Sequence, residues 1–216
     1  MIDVEYIVEN KIIAIARRIY GEKLDCLSKA LLDGGIKLIE CTFDQSDPKC
    51  KKKTSEAISL IREKRTGEMH VGAGTVLDVE QVNAAFEAGA EFIISPNANP
   101  AVIYRTKELG MLSIPGAMTP TEILLAHERG ADLVKLFPTA SLGLKYVKDI
   151  MEPISHVKIV ATAGINEENL KDYLDAGISG AGICGRLTDS KIIEQGNWEE
   201  FTRRAKVFMD IVKQNT

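Results

Sequence analysis

Three stretches of the chain repeat one phrase: residues 31–40 read LLDGGIKLIE, residues 86–95 read FEAGAEFIIS, and residues 173–182 read YLDAGISGAG. In each stretch a helical pattern ends, a glycine makes the turn, and an apolar strand begins. The repeat is a supersecondary unit and not a long sequence repeat. Helices and strands that alternate in this way favour an α/β fold with a parallel sheet.

Eight apolar runs along the chain predict strands, and helix-sized segments separate them. Several of these runs lack polar alternation, as expected when helices cover both faces of a parallel strand. The predicted strands are residues 12–17, 38–43, 70–76, 92–96, 112–118, 133–138, 158–164 and 180–185. Eight β–α units predict a (β/α)8 TIM barrel that forms one domain over residues 1–216, with an extra helix over residues 1–10 closing its bottom.

Signals for helix ends support this order. Residues 78–81 and 119–122 have the capping residues of helix starts, and residues 166–169 resemble a third start. Glycines stand where four helices should end, each before the next strand. These are Gly89, Gly110, Gly130 and Gly177.

Composition limits the classes of function. The 216 residues carry a net charge of -4, with 45% hydrophobic and 27% charged residues. No basic face is evident, which disfavours nucleic acid as a partner, and no apolar run is long enough to span a membrane. The four cysteines are scattered, without a C-x-x-C pair or metal-ligand spacing, which suits a reducing cytoplasm.

One lysine interrupts an otherwise apolar strand, in the run Leu-Val-Lys-Leu-Phe-Pro at residues 133–138. A buried lysine is costly unless it is paired, neutralised or used. Lys135 could simply reach solvent from the strand mouth. Alternatively, it could be the amine that forms a Schiff base with a carbonyl substrate.

The carboxyl ends of the strands form the reactive face of such barrels, and polar residues converge there. Glu40 lies within the apolar second strand, either as an ion-pair partner of a core lysine such as Lys135 or as a proton shuttle. The three histidines lie elsewhere, so a histidine-based metal site has little support. The other candidates at the strand ends include Arg17, Thr75, Pro96, Phe137 and Thr162.

Two glycine-containing turns follow the seventh and eighth strands, at residues 162–166 and 183–187. Loops in these positions often bind phosphate through backbone N–H groups, and Arg186 beside the second turn strengthens the case for an anion. Glycine can also serve tight packing alone. The polar, lysine-rich segment 44–53 is predicted to be a loop, either a solvated one or a lid over the substrate.

Six motifs in this order and spacing resemble the 2-keto-3-deoxy-6-phosphogluconate (KDPG) aldolase family, which includes 4-hydroxy-2-oxoglutarate (KHG) aldolase activity. The resemblance extends from about residue 12 to residue 187. The motifs are LIECTF at 38–43, GAGTV at 72–76, ISP at 94–96, IPG at 114–116, KLFP at 135–138 and TAGI at 162–165.

The resemblance implies a class I aldolase that uses no metal and no cofactor and acts on a small 2-keto acid. It implies that Lys135 forms the Schiff base and that Glu40 moves protons through a water. It also implies a homotrimer. The implied substrate-binding residues are Arg17, Thr75, Pro96, Phe137, Thr162, Ala163, Gly164, Gly185 and Arg186.

Three positions depart from the family pattern. Asp44 stands where many members have an arginine that binds the substrate carboxylate. Ala163 replaces a glycine of the phosphate loop, and Arg186 replaces a small polar residue. The chemistry is therefore better supported than the identity of the substrate.

We therefore predict cleavage of a 2-keto-4-hydroxy acid to pyruvate and an aldehyde, either glyceraldehyde 3-phosphate or glyoxylate. One alternative is a metal-free phosphosugar isomerase or epimerase on a similar barrel, for which Lys135 would have no clear purpose. The other is a diverged barrel that binds a phosphosugar without catalysis, which Asp44 and Ala163 support.

Overall fold

The computed structural model describes residues 2–215. It contains nine strand segments that pair in the order β5-β4-β3-β2-β1-β9-β8-β7-β6. The strands are β1 Ile12–Ala16, β2 Leu38–Thr42, β3 His70–Gly74, β4 Phe92–Ile94, β5 Leu112–Ile114, β6 Gly116–Ala117, β7 Val134–Leu136, β8 Ile159–Thr162 and β9 Gly180–Ile183. The helices are α1 Val4–Asn10, α2 Gly21–Asp33, α3 Cys50–Lys64, α4 Val79–Glu87, α5 Pro100–Glu108, α6 Pro120–Glu128, α7 Thr139–Met151, α8 Leu170–Asp175, α9 Ser190–Glu194 and α10 Trp198–Gln214.

The sheet closes on itself because β5 and β6 are two halves of one strand, separated only by Pro115. Every strand pair is parallel. The nine segments therefore form the eight strands of a (β/α)8 barrel, which confirms the predicted fold class. The predicted strands begin within one residue of the observed ones but extend too far, because their last residues already belong to the loops of the upper rim.

Helix α1 closes the amino end of the barrel, as predicted for residues 1–10, of which Met1 lies outside the described residues. Ile7 is fully buried and belongs to the cluster of apolar side chains inside the barrel. That cluster fills the lower interior with large residues: Ile13, Leu38, Phe92, Ile94, Leu112, Ile114, Leu133 and Val160. The barrel is therefore packed shut at its base.

Towards the carboxyl end, glycines replace large residues on the inner wall. A Cβ added at Gly74 would lie 1.6 Å from Glu40 Oε1, and one at Gly182 would lie 2.9 Å from Thr162 Oγ1. Functional side chains thus occupy the room that a side chain at either glycine would need. Gly74 on β3 and Gly182 on β9 therefore leave space inside the barrel at the level where polar side chains project inward.

Two local predictions were wrong. The predicted loop 44–53 ends early, because α3 begins at Cys50 and its first turn carries the lysines at 51–53. Lys53 Nζ turns back to Asp47 at 2.6 Å and holds the shortened loop. The third helix start was predicted too early: α8 begins at Leu170, while Asn166 Oδ1 accepts from the backbone N–H of residues 168 and 169 in a preceding turn.

Candidate active site

Glu40 and Lys135 face each other across the barrel. Glu40 lies on β2 and Lys135 on β7, four strands apart in an eight-stranded ring. On both strands the flanking residues point outward into the core beneath the helices, so the side chains at positions 40 and 135 point inward. Both are buried, at 2% and 7% exposure.

Burial sets the protonation of Glu40. Removal from water disfavours the carboxylate and raises the pKa of Glu40, while the positive charges of Lys135 and Arg17 partly oppose that rise. The same burial, together with the charge of Glu40, raises the pKa of the neighbouring Cys41 thiol to about 12. Cys41 is therefore a protonated, inert core residue, whereas Glu40 keeps its proton to a higher pH than an exposed carboxyl does.

The amine of Lys135 lies near an aromatic ring, with Nζ 5.1 Å from the ring centre of Phe137. Within residues 2–215 this Nζ forms neither a hydrogen bond nor an ion pair, so the suggested pairing with Glu40 is not formed, although the two groups interact electrostatically. At 7% exposure the side chain does not reach bulk solvent either. An amine left unpaired inside an apolar barrel is available to attack a carbonyl.

The two groups line a cavity of about 420 Å³ at the carboxyl end of the barrel. Nine of the eleven predicted site residues line it: Arg17, Glu40, Lys135, Phe137, Thr162, Ala163, Gly164, Gly185 and Arg186. This volume suits a small molecule. The structure brings these nine side chains and turns together, while their individual roles remain predictions.

Thr75 and Pro96 lie outside this cavity. Thr75 follows β3 with a positive φ of 57°, and its carbonyl accepts a hydrogen bond from Gln45 Nε2 at 2.7 Å. Pro96 lies against β6, where a Cβ on Gly116 would come within 2.4 Å of the Pro96 carbonyl. It lines an adjoining cavity that shares Phe137 with the first. Both residues flank the site and do not face its centre.

Two turns at the cavity wall present free backbone donors. The N–H groups of Gly164, Ile165, Gly185 and Arg186 donate to no acceptor in the part of the chain that the structure describes. Asn169 fixes the first turn, because its side-chain amide donates to the Gly164 carbonyl at 2.9 Å. Ala163 adopts a positive φ of 75°, so it retains the backbone conformation expected of a glycine.

The arginines at the rim differ in their pairing. Arg17 lines the cavity and forms no ion pair within residues 2–215. Arg186 is held by Glu167 through three hydrogen bonds: Nε donates to both carboxylate oxygens at 2.8 and 3.0 Å, and Nη2 donates to Oε1 at 2.7 Å. Burial opposes ionisation of Glu167, but the hydrogen bonds and charge of Arg186, with the charge of Arg204, keep its pKa below the usual range. Arg17 is therefore free for a ligand, while Arg186 is already engaged.

Asp44, the departure after β2, is also paired. Arg18 Nε and Nη2 reach its two carboxylate oxygens at 2.7 and 3.0 Å. Hydrogen bonds from Arg18 and Ser46 lower the pKa of Asp44 to about 2. Asp44 does not line the cavity, so its negative charge is neutralised at the rim and does not face the substrate.

Sequence reasoning missed the residues that brace the site. Thr139 is fully buried, donates to the Leu136 carbonyl at 2.7 Å and accepts from the Thr162 backbone N–H at 3.0 Å. It joins the ends of β7 and β8. Cys184 and Asn166 also line the cavity without having been singled out. The position of Thr139 directly after the KLFP motif could have indicated this role, because a hydroxyl buried there needs hydrogen-bond partners.

Comparisons with known proteins agree with this geometry. The family model described as KDPG and KHG aldolase matches residues 4–204. The chain belongs to the KDPG and KHG aldolase family. A 2-dehydro-3-deoxy-phosphogluconate aldolase from Haemophilus influenzae is 32% identical over 97% of this chain and 96% of its own length. A 2-dehydro-3-deoxy-6-phosphogalactonate aldolase from Escherichia coli is 34% identical over 82% of this chain and 83% of its own.

A solved structure supplies the chemistry of the aldolase family. The KDPG aldolase from Legionella pneumophila, with pyruvate captured as a covalent carbinolamine, has a TM-score of 0.84 and 26% identity over 95% of this chain and 97% of that one. A carbinolamine forms when an amine attacks a carbonyl, which is the first step of class I chemistry. The present chain is accordingly a class I aldolase, a lyase.

Within residues 2–215 no group of three or more His, Cys, Asp or Glu side chains is placed to hold a metal ion. None of the helices in the described part of this aldolase is both long and apolar enough to cross a membrane.

Proposed function

We propose that this aldolase cleaves a 2-keto-3-deoxy-6-phospho sugar acid into pyruvate and glyceraldehyde 3-phosphate, with Lys135 as the nucleophile. The observation that carries the proposal is the buried, unpaired amine of Lys135 opposite the buried carboxyl of Glu40. One group can form an imine, and the other can move the protons that imine formation requires.

The reaction would run as a retro-aldol cleavage. The amine of Lys135 attacks the C2 carbonyl, and protonated Glu40 donates the proton with which the carbinolamine hydroxyl leaves as water, which gives an iminium ion and the Glu40 carboxylate. The carboxylate takes the proton of the C4 hydroxyl, the electrons of the C3–C4 bond form the C2=C3 double bond, and the iminium π electrons move onto nitrogen, which gives an enamine and releases the aldehyde. Protonation at C3 and hydrolysis then release pyruvate and restore the lysine amine.

Borohydride trapping tests the nucleophile. Incubation with pyruvate followed by reduction should leave a stable adduct on Lys135, located by peptide mass spectrometry. Lys135→Met should form no adduct, while Lys145→Met, at an exposed lysine on α7, should form it as the unaltered protein does. A folded protein without an adduct would instead favour the imine-independent isomerase or the binding barrel.

The free backbone donors support a phosphorylated substrate. Four residues in two turns line the cavity and have backbone N–H groups without acceptors in the described part of the chain, and Arg17 adds a positive charge without an ion-pair partner there. Such donors suit phosphate oxygens. The relatives include both a phosphogluconate and a phosphogalactonate aldolase, so both C4 epimers are candidate substrates.

A second candidate substrate is 4-hydroxy-2-oxoglutarate, which would yield glyoxylate. The pairing of Arg186 with Glu167 favours it, because this arginine is not free to bind a phosphate. Comparing kcat/KM for the two phosphorylated epimers and for 4-hydroxy-2-oxoglutarate decides between the substrates. We expect preference for a phosphorylated epimer; a higher value for 4-hydroxy-2-oxoglutarate would reverse that assignment without affecting the Schiff base.

We further propose a cytoplasmic homotrimer. Met118, Leu125 and Phe137 are large apolar residues exposed at 43%, 39% and 36%, and they line one cavity beside the active site. A clustered apolar surface of this kind favours burial against another subunit. Sedimentation equilibrium should give three times the chain mass of 23.7 kDa, and Leu125→Glu should lower that mass. The four unpaired cysteines support a reducing compartment.

A further inference from the structure

Thr42 is a buried hydroxyl without a partner. It is 2% exposed, and its Oγ1 forms no hydrogen bond with any group in residues 2–215. Buried hydroxyls are almost always hydrogen-bonded, because losing water without gaining a partner costs free energy. The proposed mechanism assigns this residue no task.

Thr42 shares the inner wall of the barrel with Glu40. The residues between and beside them on β2, Ile39 and Cys41, belong to the outer core beneath the helices. Because side chains alternate along a strand, Glu40 and Thr42 both point into the barrel, with Thr42 nearer the open end.

The carboxyl group of Glu40 leans towards the level of Thr42. Glu40 pairs in register with Gly72, and Thr42 pairs with Gly74. Glu40 Oε1 nevertheless lies 1.6 Å from the position that a Cβ on Gly74 would take. The carboxyl has therefore moved up the strand to the Thr42–Gly74 level. Neighbouring strands are about 4.8 Å apart, so the hydroxyl and the carboxyl are separated by roughly one strand spacing.

Neither group has a hydrogen-bond partner. Glu40 accepts no hydrogen bond from any residue in the described range 2–215. A buried acceptor therefore stands beside a buried donor, and a small side-chain rotation would join them. The charged groups that face Glu40 are Lys135 from β7 and Arg17 from the end of β1.

We propose that Thr42 is a positioning residue for Glu40, an inference that rests on the proposed function. When Glu40 gives up its proton, its carboxylate rotates and accepts a hydrogen bond from Thr42 Oγ1. The proton stays on the threonine oxygen throughout. When Glu40 is protonated, the bond is released and the carboxyl turns back to the cavity. The hydroxyl thereby stabilises the ionised form and holds it in one orientation.

The test compares Thr42→Val with Thr42→Ser. Valine has nearly the same shape without the hydroxyl, so kcat should fall about 10- to 100-fold, the loss expected for one hydrogen bond to a charged group. KM should change little, because Thr42 does not line the cavity. The acidic limb of the kcat profile should move to higher pH, since the ionised form of Glu40 loses a donor. Serine should restore kcat and the profile.

Stability separates this role from a structural one. Replacing an unpartnered hydroxyl with a methyl group should leave Tm unchanged or raise it. As a control, Thr106→Val removes a buried hydroxyl that donates to the Val102 carbonyl at 2.7 Å on α5, and it should lower Tm without altering kcat or its pH profile.

Three results would overturn the proposal. The proposal is wrong if Thr42→Val has the kcat and the pH profile of the unaltered protein. It is also wrong if kcat and Tm fall together in Thr42→Val and Thr42→Ser does not restore kcat. In both cases an adduct of pyruvate on Lys135 of the unaltered protein would leave the proposed function standing. Absence of that adduct in the unaltered protein would remove the function and this inference together.

Discussion

On the inner wall of the barrel, Glu40 and Lys135 are 2% and 7% exposed and form no ion pair within the described residues. On the rim, the side chains of Arg18 and Arg186 are 62% and 49% exposed, and each holds a carboxylate. The ionisable groups on the wall are thus buried without an ion-pair partner, whereas the charged groups on the rim are exposed and paired. Buried groups without ion-pair partners suit chemical reactivity, whereas the exposed pairs on the rim suit contact with the substrate.

The difference shows which family features can vary. Asp44 and Arg186 depart from the family pattern, and each has acquired a partner of opposite charge within its own rim. The wall groups have no such compensation, since an ion-pair partner for Lys135 would suppress the nucleophilic attack proposed for it. Substitution on the rim is therefore tolerated physically, whereas substitution on the wall should remove activity.

The largest expected effect follows from Lys135→Met. Without the amine no imine can form, so kcat should fall by more than about 10⁴-fold, as for the loss of other catalytic nucleophiles. Near-normal far-ultraviolet circular dichroism should show that the fold persists. The steady-state rate of pyruvate release measures the effect, and retained turnover would contradict the assignment.

Glu40→Gln should lower kcat by about 10²- to 10⁴-fold, the usual range for general acid–base groups. The pKa of Glu40 is raised by burial above the ordinary 4.5, so the acidic limb of the rate profile should lie above that pH and vanish in the variant.

The same substitution should affect stability in the opposite sense. Because the folded state holds the Glu40 proton more tightly, stability falls as pH rises from the unfolded pKa through the folded one. Tm of Glu40→Gln should therefore exceed that of the unaltered protein at neutral pH and approach it in acid. An equal Tm difference at both pH values would contradict burial as the cause.

Gly74→Ala should damage catalysis, whereas Gly72→Ala should damage packing. The first Cβ would displace Glu40 Oε1, and a misplacement of this size can cost about 10²-fold in rate. The second Cβ would meet Phe92 at 2.2 Å and should cost about 1–3 kcal/mol in the free energy of unfolding. Measurements of kcat and of urea unfolding for both variants check this prediction. Equal losses of kcat and of unfolding free energy in the two variants would contradict it.

Smaller, opposite effects should follow from breaking the Arg186–Glu167 pair. Glu167→Gln frees the arginine for an anion and should lower KM for a phosphorylated substrate by about two- to fivefold. Arg186→Ser leaves Glu167 unpaired beside the two turns and should raise that KM by a similar factor. Neither variant should alter kcat. If both variants changed KM in the same direction, release of Arg186 from Glu167 would not explain the change.

The smallest effect is expected from Asp44→Asn, since Asp44 does not line the cavity. Activity should change by less than about twofold. The pKa of Asp44 is about 2, so its contribution to stability is present above the ordinary 3.8 and is lost only as pH falls through about 2. Thermal unfolding of both proteins between pH 2 and 7 measures this. The difference in Tm should be largest near neutral pH and shrink as the pH falls towards 2, and a difference that grows in acid would contradict it.

The functional residues on the inner wall of the barrel could be predicted from the sequence better than the ion pairs on its rim. Lys135 and Glu40 could be found because each breaks an apolar strand, and a strand's position in a parallel barrel determines which end its last residues reach. The starts of the strands were equally readable from the glycine turns before them.

The ion pairs on the rim could not be predicted from the sequence pattern. Arg18 and Asp44 are 26 residues apart, and Glu167 and Arg186 are 19 apart, so their pairing depends on loop conformation and on the choice of side-chain rotamer. Thr75 and Pro96 follow β3 and β4 closely but do not line the cavity. The position of a residue after a strand end depends on loop conformation, which no local pattern in the chain encodes.

The helix that seals the base of the barrel has a consequence for the order of events. Ile7 of α1 belongs to the apolar cluster that fills the base of the barrel, so we expect substrates to reach Lys135 from the carboxyl end, where the cavity lies. Pyruvate bound to that lysine must enter first in synthesis and leave last in cleavage. Product inhibition should therefore be ordered, with pyruvate competitive against the sugar acid and the aldehyde not.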